Sequence, residues 1–181
     1  MAPRAAYENL SLDVVLDIRD KKGERALVER RQRVRFLVED SGVVRELVWG
    51  EGNPMADYTV VGARMLGIQS EGPRRVLLLG LPHRPSKGDC AAVTSNRLIR
   101  DAFVDESPYA ELLVERPTQR IGLKVLFPRS RPPLGAWVES LPPSLPVKRV
   151  SVRYGADGRP FLTWSLRRPE RFTTYSLRWS W

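Results

Sequence analysis

Between its prolines and glycines the chain repeats apolar residues at every second position, and that alternation constrains its fold more than any other feature. A period of two puts successive side chains on opposite faces of an extended strand, so one face is buried while the other meets water. Residues 7 to 19 read as a first strand. They stop at Asp20-Lys21-Lys22-Gly23, a turn in which the glycine takes a positive backbone angle. In a long second strand Ala26, Val28, Val34, Phe36 and Val38 share one parity, while Arg31, Arg33 and Arg35 share the other and form a solvated face. Ser41-Gly42 is expected to close a hairpin onto residues 43 to 49. Further strands are expected over 57–61, 74–81, 90–103, 111–115 and 120–127, and the stretch 95–103 also admits a helical turn.

The C-terminal third has clearer punctuation. Residues 137–140 form a short strand stopped by Leu141-Pro142-Pro143, and residues 147–154 form another with Val150, Val152 and Tyr154 on one face. Gly155-Ala156-Asp157-Gly158 turns the chain back into residues 161–166 as a hairpin. The last strand, 172–181, sets Tyr175, Leu177, Trp179 and Trp181 opposite Thr174, Ser176, Arg178 and Ser180, so its aromatics read as core and its arginine as surface. No segment carries helical spacing with a cap and a stop, and the prolines would interrupt long helices. The expected fold is therefore all-β: an antiparallel β-sandwich, either one continuous domain or two packed sandwich-like lobes, 7–103 and a basic 104–181.

Charge is distributed unevenly along this pattern. Thirty Lys and Arg face 21 Asp and Glu, a formal net charge of +9. Residues 1–115 carry 17 basic and 18 acidic groups, net −1, and residues 116–181 carry 13 and 3, net +10. Such asymmetry is a pointer to a polyanionic partner and says nothing of fold. Twenty-five of the basic residues are Arg, and with 15 Pro and 13 Gly part of this bias follows G/C-rich codon usage.

Several chemistries are poorly supplied. One His (His83) and one Cys (Cys90) cannot make a zinc site of ordinary Cys/His ligand count, and a lone Cys makes no intramolecular disulfide. His83 lies in a turn-rich loop and reads as solvated, while Cys90 among small apolar neighbours reads as a buried small hydrophobe. There is no Gly-x-Ser-x-Gly elbow, and Gly50-Glu51-Gly52 lacks the lysine of a phosphate loop. Asp13, Asp17 and Asp20 form the densest acidic set, without the spacing of a calcium loop. No catalytic residue, cofactor or metal is expected. Sparing thiol use and the absence of an apolar run of roughly 20 residues point to a soluble, cytoplasmic protein without membrane contact.

Two sets of residues are candidates for binding. Arg129, Arg131, Arg167, Arg168 and Arg171 lie in or beside loops of the basic third, placed to meet phosphates or an acidic protein. The loop from Trp49 to Tyr58, with Glu51 and Asn53, sets two aromatics around a polar, glycine-containing turn that forms either a ligand-facing rim or a structural anchor for the strand ends.

The run Glu29 to Leu37, the Trp49-Gly50-Glu51-Gly52 loop with Asp57-Tyr58, Val125-Leu126-Phe127-Pro128 and the terminal Tyr175 to Trp181 together resemble uncharacterised β-rich bacterial proteins of high-G/C genomes. The resemblance implies a bacterial origin and a β fold, and it carries no functional residue. The expectation is a non-enzymatic binding or regulatory module that associates with a protein partner. The alternative is a nucleic-acid-binding protein that uses the Arg-rich C-terminal face.

Overall fold

A computed structural model describes residues 5–48, 57–72, 74–101 and 103–181. Fourteen strands and no helix occur among them: β1 (Tyr7–Ile18), β2 (Arg25–Phe36), β3 (Val43–Val48), β4 (Thr59–Val61), β5 (Arg64–Glu71), β6 (Arg74–Gly80), β7 (Cys90–Arg100), β8 (Tyr109–Val114), β9 (Arg120–Leu126), β10 (Gly135–Leu141), β11 (Lys148–Arg149), β12 (Arg153–Tyr154), β13 (Pro160–Arg167) and β14 (Thr173–Ser180). They form a seven-stranded sheet ordered β12-β13-β9-β1-β2-β7-β4, a four-stranded sheet β11-β10-β14-β8 and a three-stranded sheet β3-β6-β5. The fold is the all-β, packed-sheet class that the alternation implies. Within the large sheet β1 and β9 run parallel, and the other neighbours are antiparallel.

Both small sheets cover the same face of the large one, side by side. Strands β1 and β2, each 12 residues and on the order of 40 Å long, run beneath both. Under the four-stranded sheet Leu12, Val14, Leu16 and Ile18 of β1 and Ala26 and Val28 of β2 meet Leu112, Leu123, Val125, Tyr175, Leu177 and Trp179. Under the three-stranded sheet Tyr7 of β1 and Val34 and Phe36 of β2 meet Val44, Val48, Leu77, Leu79 and Val93. The inward residues of β1 are odd-numbered at Tyr7 and Asn9 and even-numbered from Leu12 onward. A bulge between Asn9 and Ser11 adds one residue and keeps both sets on the buried face. Residue 104 lies between β7 and β8, and the later strands β9 and β13 join β1 in the large sheet, so the first core draws on both halves of the chain.

Local chemistry explains several connections. The Asp20 carboxylate accepts the backbone N–H groups of Lys22 (2.9 Å), Glu24 (3.2 Å) and Arg25 (2.7 Å), which fixes the β1–β2 turn. Desolvation opposes ionisation there, but the backbone donors outweigh it and hold the carboxyl below its usual range. Gly23 adopts φ 80°, and its α-carbon abuts the Phe103 backbone, so a side chain fits neither the angle nor the space.

Four local expectations are corrected. Ser41-Gly42 does not join β2 to β3 as a hairpin: β2 pairs with β1 and β7, and β3 crosses into the other sheet to pair with β6. Val38 is 38% exposed because β2 ends at Phe36. Among the described residues of the stretch 95–103 there is no helical turn, because β7 continues to Arg100. Residues 147–154 are two short strands in different sheets, β11 against β10 and β12 against β13.

Candidate functional site

The two cores are divided by a polar seam built where each inward apolar row is interrupted at the same level. Arg30 and Gln32 interrupt β2, Asn9 interrupts β1, Ser95 and Arg97 interrupt β7, and Glu46 interrupts β3. Gln32 Nε2 donates to Asn9 Oδ1 at 2.7 Å, Asn9 Nδ2 to Thr118 Oγ1 at 3.0 Å, and Thr118 Oγ1 to the Arg116 carbonyl at 2.9 Å. Glu46, 3% exposed, accepts from Ser95 Oγ at 2.7 Å and from the Tyr58 hydroxyl at 3.0 Å. Burial, with Glu46 adding to it, pushes the Tyr58 phenol well above its usual range. Burial pulls the Arg97 guanidinium below the usual arginine range, against the attraction of Glu46 and with the repulsion of Arg30. A cavity of about 20 Å³ among Arg30, Glu46, Arg97 and Glu111 has room for one water molecule and no ligand. The seam is a device for placing two sheets on a third.

An open cleft of about 360 Å³ lies on the outer side of the four-stranded sheet. Thr174 of β14 stands between Leu113 of β8 and Leu141 of β10 as their direct cross-strand neighbour, so the three line one row, while Thr173 and Tyr175 point inward. Pro142, after a cis peptide bond from Leu141, and Phe172 wall the row. Leu141 is 72% and Phe172 67% exposed, an unusual position for large apolar side chains that share one cleft. Phe172 is held at φ 60°, its N–H donating to the Val114 carbonyl at 2.6 Å, and the Arg171 guanidinium lies 4.7 Å from its ring centre. Arg74 and Glu115 give the lining one charge of each sign.

A second cavity, about 350 Å³, is lined in part by Phe36, His83, Arg84, Asp89 and Cys90, so the single imidazole and the single thiol share one depression. His83 is exposed, as the loop position implies. Cys90 is exposed as well, which corrects its reading as a buried hydrophobe: as the first residue of β7 it faces outward opposite Arg35. Among the described residues no cluster of three or more His, Cys, Asp or Glu could hold a metal ion.

The arginines singled out by sequence fall into two groups at opposite ends of β13, separated by roughly 23 Å of strand. At one end Arg129 donates to the Asp157 carbonyl, and Arg131 donates to the Lys21 carbonyl at 2.9 Å while lying 4.0 Å from the Trp181 ring centre. At the other end Arg167 is exposed on β13, Arg168 (φ 50°) donates its backbone N–H to the Gln119 carbonyl, and Arg171 lies over Phe172 beside the cleft. Tyr58 is tied to Glu46 as an anchor, whereas Trp49, Glu51 and Asn53 lie outside the described residues. The cleft was missed in the sequence because Leu141 and Phe172 read there as strand ends. The signal was present, since each is an apolar residue placed beside a chain break.

No family model and no curated protein matches the chain. Solved structures do match it in fold. A proposed protease from Parabacteroides distasonis superposes with a TM-score of 0.59 at 9% identity, over 97% of this chain and 40% of that one. A variant of the M1 zinc metallopeptidase from Deinococcus radiodurans superposes with a TM-score of 0.50 at 12% identity, over 95% of this chain and 42% of that one. A two-domain M1 zinc metallopeptidase bound to L-tryptophan gives 0.50 at 12%, over 96% and 43%. The chain thus spans about two fifths of the length of these proteins, and at such identities the likeness is one of fold.

Proposed function

We propose that this chain is a non-catalytic β module that works by binding a protein partner, and that the partner docks at the cleft of Leu113, Leu141, Pro142 and Phe172. The observation that carries the reading is the exposure of Leu141 and Phe172 together in one concave site, where association removes apolar surface from water at about 25 cal/mol per Å². The fold's occurrence as a minor part of longer peptidase chains supports a partner of the same kind, a peptidase-like polypeptide whose action the module assists or regulates. A reducing, cytoplasmic setting suits a chain whose only thiol is exposed and free.

The test compares native-host purifications of the wild-type chain and the Leu141→Asp/Phe172→Asp variant. The reading requires a stoichiometric protein with the wild type and its loss from the variant, whose thermal unfolding should stay close to wild type because both residues are exposed. Recovery of the same protein by both forms removes the cleft from the reading, and recovery of none overturns it.

A further inference from the structure

The outer face of the large sheet, on the side away from both small sheets, ends in a line of arginines. Arg19 N–H bonds the Arg25 carbonyl at 2.8 Å, and Arg25 is the direct cross-strand neighbour of Arg100. All three are exposed, flanked in sequence by the inward Ile18, Ala26 and Ile99. The parallel register of β1 with β9 carries the line across Pro128 to Arg159, and Arg153, opposite Phe161, stands one step in from it. Across five strands the line measures about 19 Å.

Like charges placed directly opposite on neighbouring strands repel. Asp17 answers two of them, Arg19 at 2.9 Å and Arg159 at 2.6 Å. Among the described residues Arg25, Arg100 and Arg153 have no carboxylate partner. Of the nearby acids Asp20 faces its own turn and Glu24 pairs with Lys22, and Asp101, whose backbone N–H donates to the Glu24 carbonyl at 2.8 Å, stands beside Arg100 at the edge of the rim. Immediately inward runs a second line, Phe161, Leu126, Asp17, Leu27 and Leu98, which are cross-strand neighbours in that order and half-buried.

We propose that this arginine rim with its apolar neighbour line is a binding surface for single-stranded nucleic acid. A single strand carries a line of phosphates beside a line of bases, and here fork-shaped guanidinium groups run beside an apolar line two residues, roughly 7 Å, away. An extended acidic peptide lays one row of side chains, those at i, i+2 and i+4, on a surface, and does not match two parallel rows of different character. A docked amphipathic helix would bury its apolar seam against Asp17 in the middle of the line, whereas unpaired bases present ring or amino N–H donors to a carboxylate. This surface and the protein-binding cleft lie on opposite sides of the molecule, so either stands without the other.

The test is fluorescence anisotropy with a labelled oligothymidylate of 20 nucleotides across a salt series. The expected slope of log affinity against log salt is about −0.7 per phosphate neutralised, so about −3 for four to five contacts. Arg25→Ala/Arg100→Ala/Arg153→Ala should weaken binding at least about tenfold and cut the slope by about 2. Arg33→Ala/Arg64→Ala/Arg149→Ala, with the same charge loss elsewhere, should stay within about twofold of wild type. Arg25→Gln/Arg100→Gln serves if the first triple fails to fold by circular dichroism. No binding at low salt, equal losses from both triples, or tighter binding of poly-glutamate or of duplex DNA would each overturn the proposal.

Discussion

The core under the four-stranded sheet gathers Phe103, Phe127, Tyr175 and Trp179, with Trp181 edge-on to both Phe127 and Trp179. Among the described residues the core under the three-stranded sheet has two fully buried rings, Tyr7 and Phe36, among Val34, Val44, Val48, Leu77, Leu79 and Val93. Both stand on β1 and β2, so the difference lies in the lids. The larger core is closed by residues far apart in the chain, from Leu12 to Trp179, and the smaller by the segment around β3 and β6. A chain built this way should lose the smaller lid locally and the larger lid only with the whole fold.

Trp179→Ala is the sharpest way to break the comparison. It removes a side chain that is 0% exposed and touches three other rings, and it should cost about 3–5 kcal/mol in urea unfolding with every probe shifting together. Leu79→Ala, in the smaller core, should cost about 2–4 kcal/mol. Its hydrogen-exchange signature should differ, with the amides of β5 and β6 losing protection before those of β9. Glu46→Leu probes the boundary: it strips Ser95 Oγ and the Tyr58 hydroxyl of their acceptor and Arg97 of its nearby negative charge, for about 1–3 kcal/mol. If Glu46→Leu left stability unchanged, the seam would be dispensable and the two cores independent of it.

The smallest expected effect is that of Asp20→Asn, outside both cores. Its folded carboxyl is more acidic than its unfolded one, so its contribution is present above the unfolded value of about 3.9 and fades as pH falls through the folded value. Wild type and Asp20→Asn should therefore differ slightly in melting temperature at neutral pH and converge in acid.

What could be read from the sequence follows from how local each determinant is. The alternation of β14, and of β2 outside Arg30 and Gln32, is legible because the inward face of each packs on a core. In β5 the pattern fails: a bulge between Met65 and Gly67 breaks the period, and the strand has a partner on only one side. The seam was visible as Arg30 and Gln32 on the apolar parity of β2, but its meaning needs Asn9, Glu46, Ser95 and Arg97 brought from three other strands. The arginine rim is mostly non-local: Arg19 and Arg25 meet across the β1–β2 turn, but Arg100 and Arg159 join their line only through sheet order. Gly122 is another such case. A Cβ there would collide with the Asp13 carboxylate of the neighbouring strand, which pairs with Arg120 at 2.6 Å.

The one-residue bulge in β1 acts as a phase switch. Upstream of it odd positions face inward and downstream even ones do, so deletion of Leu10 alone would remove the bulge and leave Tyr7 and Asn9 inward and Glu8 outward in one regular alternation with Leu12. The bulge is therefore the place in β1 where loss of one residue keeps both inward sets in phase.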